Sequence, residues 1–248
     1  MDETAQAVTE DRILGGRVLL RQPAKGYRAG LDAALLAAAC DAGPEDRVLE
    51  PGCGVGAVML AAATRRPGAK FIGMERDAEA VRLARLNIGA NNLADRVQVL
   101  AGEITGRAPA GSPFDAALCN PPFFDDPARL RAPHPAKTRA WMADDGLEAW
   151  LRFLTRSVRE GGTITLIHRA DRLADLLALL APRAGSFQIR PIHPFADAPA
   201  SRVLVRAIKT GKAPLRLLPP LVLHERGGAK HSPMTEAILR GEADLPWL

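Results

Sequence analysis

The fold of this chain turns on one stretch, Arg47–Leu60, which reads RVLEPGCGVGAVML. A short apolar run ends in an acid, three glycines follow at alternate positions, and helix formers begin at once. Glycine at 52, 54 and 56 lets the backbone turn tightly and approach a bound group closely. A helix starting there leaves its first N–H groups without intrahelical partners, ready for the polar end of a ligand. Strand, glycine turn and helix in that order open a βαβ unit with a nucleotide-type cofactor at its turn. The glycines do not fix which cofactor, because Gly52, Gly54 and Ala57 also satisfy the dinucleotide pattern GxGxxG/A.

Outward from this stretch the pattern repeats. Upstream, the run Asp32–Ala42 (DAALLAAACDA) predicts a helix that stops at Gly43-Pro44. Downstream come a strand at Lys70–Glu75, a helix capped by Asp77, and strands at Arg96–Leu100 and Phe114–Cys119. The segment LEAWLRFLTRSVREGG predicts an amphipathic helix ending at Gly161-Gly162, followed by a strand at Thr163–His168 and the helix RLADLLALLA. Strands alternating with helices imply parallel crossovers. The last two strand-like runs, FQIRPIHPF and SRVLVRAIKTG, are joined by a link around Ala196–Ala200 that is too short for a crossover, so they must pair antiparallel. The expected fold is α/β, a Rossmann-like, mostly parallel sheet with helices on both faces. The expected division is an N-terminal hairpin or lid extension over 1–31, a core over 32–210 and a C-terminal extension over 211–248.

Composition narrows the function. The chain has 248 residues, 47% of them hydrophobic and 25% charged, which fits one larger globular α/β domain. The acidic, polar start lacks a secretory pattern, and no apolar run nears the roughly 18 residues of a membrane span. A cytoplasmic location is the expectation. Cys40, Cys53 and Cys119 match no disulfide or zinc spacing and read as buried thiols, and the five histidines form no HExxH, so no metal is expected. The net charge of +5 suits a polyanionic partner, although an Arg-rich chain also rich in Ala, Gly and Pro can owe this to base composition.

Three features separate the two cofactor readings. Glu50 stands two residues before the first glycine, where a carboxylate suits a cationic ligand better than a pyrophosphate. Glu75 ends the second strand, where it can accept hydrogen bonds from two ribose hydroxyls. That acid serves either reading, but a further polar station does not: Glu103 and Ile104, after the third strand, could edge and cover an adenine ring. The antiparallel final pair is unusual in a dinucleotide domain. Together these features resemble the class I S-adenosylmethionine-dependent methyltransferases, whose seven-stranded sheet ends in one antiparallel strand.

The segment Cys119–Phe124, CNPPFF, extends this reading to the second substrate. Each proline restricts the residue before it to extended conformations, so Asn120 and Pro121 are both held. The Asn120 side-chain oxygen and the Pro121 carbonyl then form two fixed acceptors matched to the N–H bonds of a planar amino group. Such a clamp orients a weakly nucleophilic nitrogen and favours its pyramidal form without a strong base. Phe123 would stack on the ring that carries the amine.

NPPF at this position resembles the signature of amino-methyltransferases, whose members modify adenine, cytosine, guanine or protein glutamine. The flanks GRVLLRQPAKGYRAGLDAALLAAA and PLVLHERGGAKHSPMTEAIL are similar to those of the bacterial adenine-N6 methyltransferases acting on valine tRNA next to the anticodon. This resemblance, from about Leu14 to Leu239, implies an RNA partner and S-adenosylmethionine as cofactor. By position it puts Glu50, Gly52, Gly54 and Gly56 along the methionine part, Glu75 on the ribose and Glu103 with Ile104 on the adenine. Asn120, Pro121 and Phe123 would hold the amine, and Tyr27, Arg28 and Asp32 match a segment that closes over the cofactor. Ala29-Gly30-Leu31 replaces the usual hydroxyl residues, and Glu103 stands where Asp is frequent. The alternatives are guanine-N2 or protein-glutamine methylation, small-molecule amine methylation, or an inactive RNA-binding module. Arg129, Arg131, His134, Lys137 and Arg139 read as a basic substrate lip or a solvated loop. Arg202, Arg206, Lys209, Lys212 and Arg216 read as a second RNA surface or one wet face.

Overall fold

The structure, a computed structural model, describes residues 7–25, 28–104, 107–122 and 146–247. An antiparallel hairpin opens it: β1 (Val8–Ile13) lies outside, and β2 (Val18–Pro23) buries alternate residues. The free edge of β2 is satisfied by side chains instead of a third strand. Asn91 accepts from Leu19 N and donates to Leu19 O, both at 2.8 Å. One helical turn earlier, Asn87 accepts from Arg21 N at 2.8 Å and donates to Arg21 O at 2.9 Å. Two amides at i and i+4 on a helix thus imitate a strand edge and give the Leu19 and Arg21 backbone groups their partners.

Helix α1 (Leu31–Ala38) precedes β3 (Arg47–Pro51), α2 (Ala57–Arg65), β4 (Lys70–Glu75), α3 (Ala78–Ala90), β5 (Val97–Ala101) and β6 (Phe114–Cys119). Asp77 caps α3 as its sequence position implies, accepting from Ala80 N at 2.8 Å. After residue 145 come α4 (Leu147–Ser157), β7 (Val158–Arg169), α5 (Leu173–Leu180), β8 (Ala184–His193) and β9 (Arg202–Lys209). Two short strands, β10 (Arg216–Leu217) and β11 (Leu221–Val222), and helix α6 (Pro233–Arg240) complete the described chain.

The main sheet runs β10-β8-β9-β7-β6-β3-β4-β5, with β11 also on β8. All its pairs are parallel except those of β9, which lies antiparallel between β7 and β8. The short link before β9 therefore does what its length requires. Successive side chains point to opposite faces, and each face has its own core. Val48, Leu118 and Leu204 pack with α1, α2, α3 and Ile238, whereas Leu49, Cys119 and Val205 pack with α4 and α5.

Two helix ends differ from the sequence reading by more than a residue, each for a tertiary reason. Helix α1 stops at Ala38 because the chain's C-terminal segment takes its last carbonyls: Leu245 N donates to Ala38 O at 3.0 Å and Trp247 Nε1 to Ala39 O at 2.7 Å. Helix α4 stops at Ser157, and the glycine pair belongs to the strand that follows. Gly161 has φ +72°, the register shifts between Phe114 and Ala116, and a Cβ on Gly162 would lie 2.6 Å from the Asp115 carbonyl. Those glycines form an irregularity where β7 joins β6.

Candidate active site

The parallel strands end together at one edge, and Glu50, Gly52, Glu75, Glu103, Ile104 and Asn120 lie on that edge or next to it. In the β3 pairings Leu49 faces Ala117 and Pro51 faces Met74. Continued to the strand ends, this register sets Asn120, Gly52 and Glu75 in one row across β6, β3 and β4. Neighbours in such a row are about 4.8 Å apart. Glu75 itself pairs with Ala101, so Glu103 and Ile104 follow at the next position along the edge.

The glycine turn is held from β4. Gly52 N and Cys53 N both donate to Met74 O, at 2.7 and 3.2 Å. Gly52, Gly54 and Gly56 have φ of +67°, +54° and +89°, so all three use the left-handed backbone that glycine alone adopts freely. Their surroundings differ. A Cβ on Gly54 would meet nothing within 4 Å, leaving this turn open to a ligand, while one on Gly52 would lie 2.5 Å from the Trp150 ring. Trp150, from α4, is a wall of the site that the sequence did not reveal, since nothing in its spacing links it to residue 52.

The two acids sit in different surroundings. Glu50 is buried at 4% exposure and accepts from Met59 N at 2.8 Å. Burial pushes its carboxyl up to about 8 against that hydrogen bond, with the Glu75 charge adding to the rise, so it is neutral at pH 7. A cation beside it would draw the proton off. Glu75 accepts from Gly54 N at 2.9 Å, Arg76 N at 2.8 Å and Asp77 N at 2.9 Å. A carboxylate has about four acceptor positions, so one remains for a hydroxyl unless the Gly54 bond is exchanged. An open glycine turn, a buried acid for a cation and an anchored acceptor for a ribose fit S-adenosylmethionine.

On the amine side, Asn120 is half-buried and Pro121 buried, directly after β6. Phe123 and the lip residues Arg129, Arg131, His134, Lys137 and Arg139 lie outside the described residues, as does Tyr27. Arg28 is turned to the hairpin, donating to Thr9 Oγ1 and Asp11 Oδ2 at 2.7 Å. Asp32 pairs with Arg202 at 3.1 Å. Glu103 is exposed, and Ile104 packs into the core with Met74 and Leu49. In the second basic tract, Arg202 holds Asp32, Arg206 holds Asp41 and Lys209 holds Glu160, so these three cations serve intrachain ion pairs. Cys40, Cys53 and Cys119 are free and buried. Burial first, and the Glu50 charge next, raise the Cys53 and Cys119 thiols well above their ordinary value, so neither is a nucleophile.

The Methyltransferase small domain family matches residues 28–133. A solved structure described as a predicted O-methyltransferase from Agrobacterium tumefaciens is 30% identical, with a TM-score of 0.71 over 86% of this chain and 98% of that one. This chain belongs to the S-adenosylmethionine-dependent methyltransferases. Among curated relatives, tRNA1(Val) (adenine(37)-N6)-methyltransferase of Porphyromonas gingivalis is 32% identical over 60% of this chain and 61% of its own length. The Dyadobacter fermentans protein of the same name is 27% identical over 89% and 92%. A release factor glutamine methyltransferase of Chlorobaculum tepidum is 25% identical over 62% and 56%. No helix among the described residues is long and apolar enough to cross a membrane, and no group of metal-ligating side chains occurs among them.

Proposed function

We propose that this methyltransferase acts on the exocyclic amine of an adenine, N6, in tRNA, with valine tRNA next to the anticodon as the substrate. The observation that carries the reading is the placement of Asn120 and Pro121 at the end of β6, in the row of Gly52 and Glu75. The names of the Porphyromonas and Dyadobacter relatives support the adenine and the tRNA.

When bound, S-adenosylmethionine supplies a methyl group activated by its sulfonium. The chain's own residues do the rest. Glu50 offsets the positive charge, Glu75 takes a ribose hydroxyl, and Glu103 with Ile104 flanks the adenine of the cofactor. The Asn120 side-chain oxygen and the Pro121 carbonyl accept the two amine N–H groups and orient the nitrogen lone pair. Phe123 stacks on the target ring, Asp32 belongs to the closing segment, and Arg129, Arg131, Lys137 and Arg139 form an RNA lip. An adenine inside a stacked loop has to be flipped out to reach this clamp.

The test is incubation with methyl-labelled cofactor and total RNA, then nucleoside analysis. N6-methyladenosine in the tRNA fraction supports the reading. Methylguanosine, or label on protein glutamine, overturns the adenine assignment in favour of the other amines that this clamp accepts.

A further inference from the structure

The C-terminal segment HERGGAKH builds a feature that the cofactor and amine sites do not use. β8 ends at His193 on the same edge as β3, β4 and β6, and β11 pairs parallel with Ile192 and His193. Leu223 N donates to His193 O at 2.9 Å and His224 N to Pro194 O at 3.0 Å, so both chains leave the sheet on the active-site edge. There, four side chains form a ladder. The Arg226 guanidinium lies over the Phe195 ring at 4.5 Å, Phe195 and His224 are 5.6 Å apart, and His224 stacks on His231 at 5.2 Å.

This ladder is more than packing. Its outer end is in solvent: Arg226 and its partner Asp197 are each 65% exposed, and an ion pair that exposed is worth little and is readily exchanged for a phosphate. Its inner end carries His231 Nδ1, a buried atom without a hydrogen-bond partner among the described residues. Aromatic rings in series, capped by a cation, are the elements on which unpaired bases stack. The ladder stands on β8, three strand spacings from β6, which is about 14 Å from the amine clamp at about 4.8 Å each. A few nucleotides of a single strand span that gap.

We propose that Phe195, His224, Arg226 and His231 form a seat for an unpaired base of the RNA substrate flanking the methylated nucleotide. The seat rests on the reading of RNA as substrate. It binds by stacking, with Arg226 exchanging Asp197 for a backbone phosphate, and it holds the loop while the target base is in the clamp.

The test uses the full chain, an unmodified valine tRNA transcript and labelled cofactor. Phe195→Leu keeps the apolar volume and removes the π face. It should raise KM for the transcript roughly tenfold, change kcat less than about twofold, and leave cofactor affinity by calorimetry as in the unaltered chain. Phe195→Tyr should restore KM, which a packing role alone would not require. Arg226→Ala should reduce the slope of log affinity against log salt by about 1. If Phe195→Leu and Arg226→Ala both keep the original KM and salt slope, the seat is overturned while methylation of RNA stands. If the unaltered chain transfers label to protein and none to RNA, the seat and the RNA reading fall together.

Discussion

Between Glu50 and Glu75 the cofactor half of the edge is assembled from neighbours in sequence, one βαβ unit whose turn is tied to its own strands. The amine half draws on residues far apart, with Asn120 after β6 and Trp150 on α4. The first half is a local solution, in which backbone N–H groups hold both acids in place. The second is a tertiary one, made only when the sheet and α4 are in place. The two halves meet at Gly52, whose missing side chain leaves room for the Trp150 ring. If this contrast is right, substitutions in one half should move one observable and spare the other.

The largest effect is expected at Asn120. Asn120→Ala removes one of the two acceptors proposed to act on the nitrogen during transfer, and comparable losses of positioned hydrogen-bonding groups cost about 10²–10³-fold in kcat. Cofactor affinity should change less than about threefold, since Glu50, Glu75 and the glycine turn are untouched. Single-turnover methyl transfer and calorimetry read the two quantities separately. A matching loss of both would dissolve the contrast between the halves.

Glu50→Gln should give the converse. With its carboxyl pushed up to about 8 by burial, Glu50 holds a proton at pH 7 in the free protein. A bound cation favours the ionised form, so binding releases a proton and affinity should rise with pH from about 6 to 8, by at most about tenfold per unit. The Gln variant should bind weakly and show no such rise. Stability has the opposite sign. The folded state holds this proton more tightly than the unfolded chain, whose value is the ordinary 4.5, so the stabilisation is complete below about 4.5 and is lost as pH rises through about 8. Glu50→Gln should therefore raise Tm at pH 9, by about 2–4 °C for each kcal/mol recovered, and change it little at pH 5. A lower Tm at pH 9 would mean that the carboxylate is ionised and compensated in the free protein.

The same contrast explains what could be read in the sequence. Strand ends and the glycine turn were legible because their signals are local: Phe114–Cys119 and Lys70–Glu75 occur at the expected residues. The antiparallel β9 followed from the length of a link. Trp150 against Gly52 and the Asn87–Asn91 edge were not legible, because an indole or an amide carries no mark of its distant partner. The ends of α1 and α4 were misplaced for the same reason. Cys40–Ala42 has helix-forming composition, but residues 245 and 247 claim the helix carbonyls, and Gly161 resembles a helix stop until its strand partner is known. Arg202 and Arg206 show the same limit for charge, since Asp32 and Asp41 neutralise them from another element.

A smaller effect is expected at Asn87, where the hairpin meets the cofactor half. Besides holding Arg21, its amide donates to Val55 O in the glycine turn at 3.0 Å, and the residue is fully buried. Asn87→Ala leaves these backbone groups without partners, at a cost of about 1–3 kcal/mol. Hydrogen exchange should quicken first at the Arg21 amide, which Asn87 accepts from. Protection lost uniformly across the sheet would show instead that the hairpin folds as one unit with the core.

Gly161→Ala should have the smallest effect and bounds the contrast from outside. Its φ of +72° is unfavourable for alanine, while the nearest atom to an added Cβ, Arg159 Nη1, is 3.7 Å away. The cost is therefore conformational alone, about 1–2 kcal/mol. Gly161 lies near the start of β7, and the active-site edge lies at the other end of that strand. Urea unfolding should show the loss at an unchanged m-value, with cofactor affinity and kcat both preserved. A fall in either binding observable would mean that the irregularity in β7 sets the position of the β6 end, and with it Asn120, so that the amine half depends on the far edge of the sheet as well as on its own.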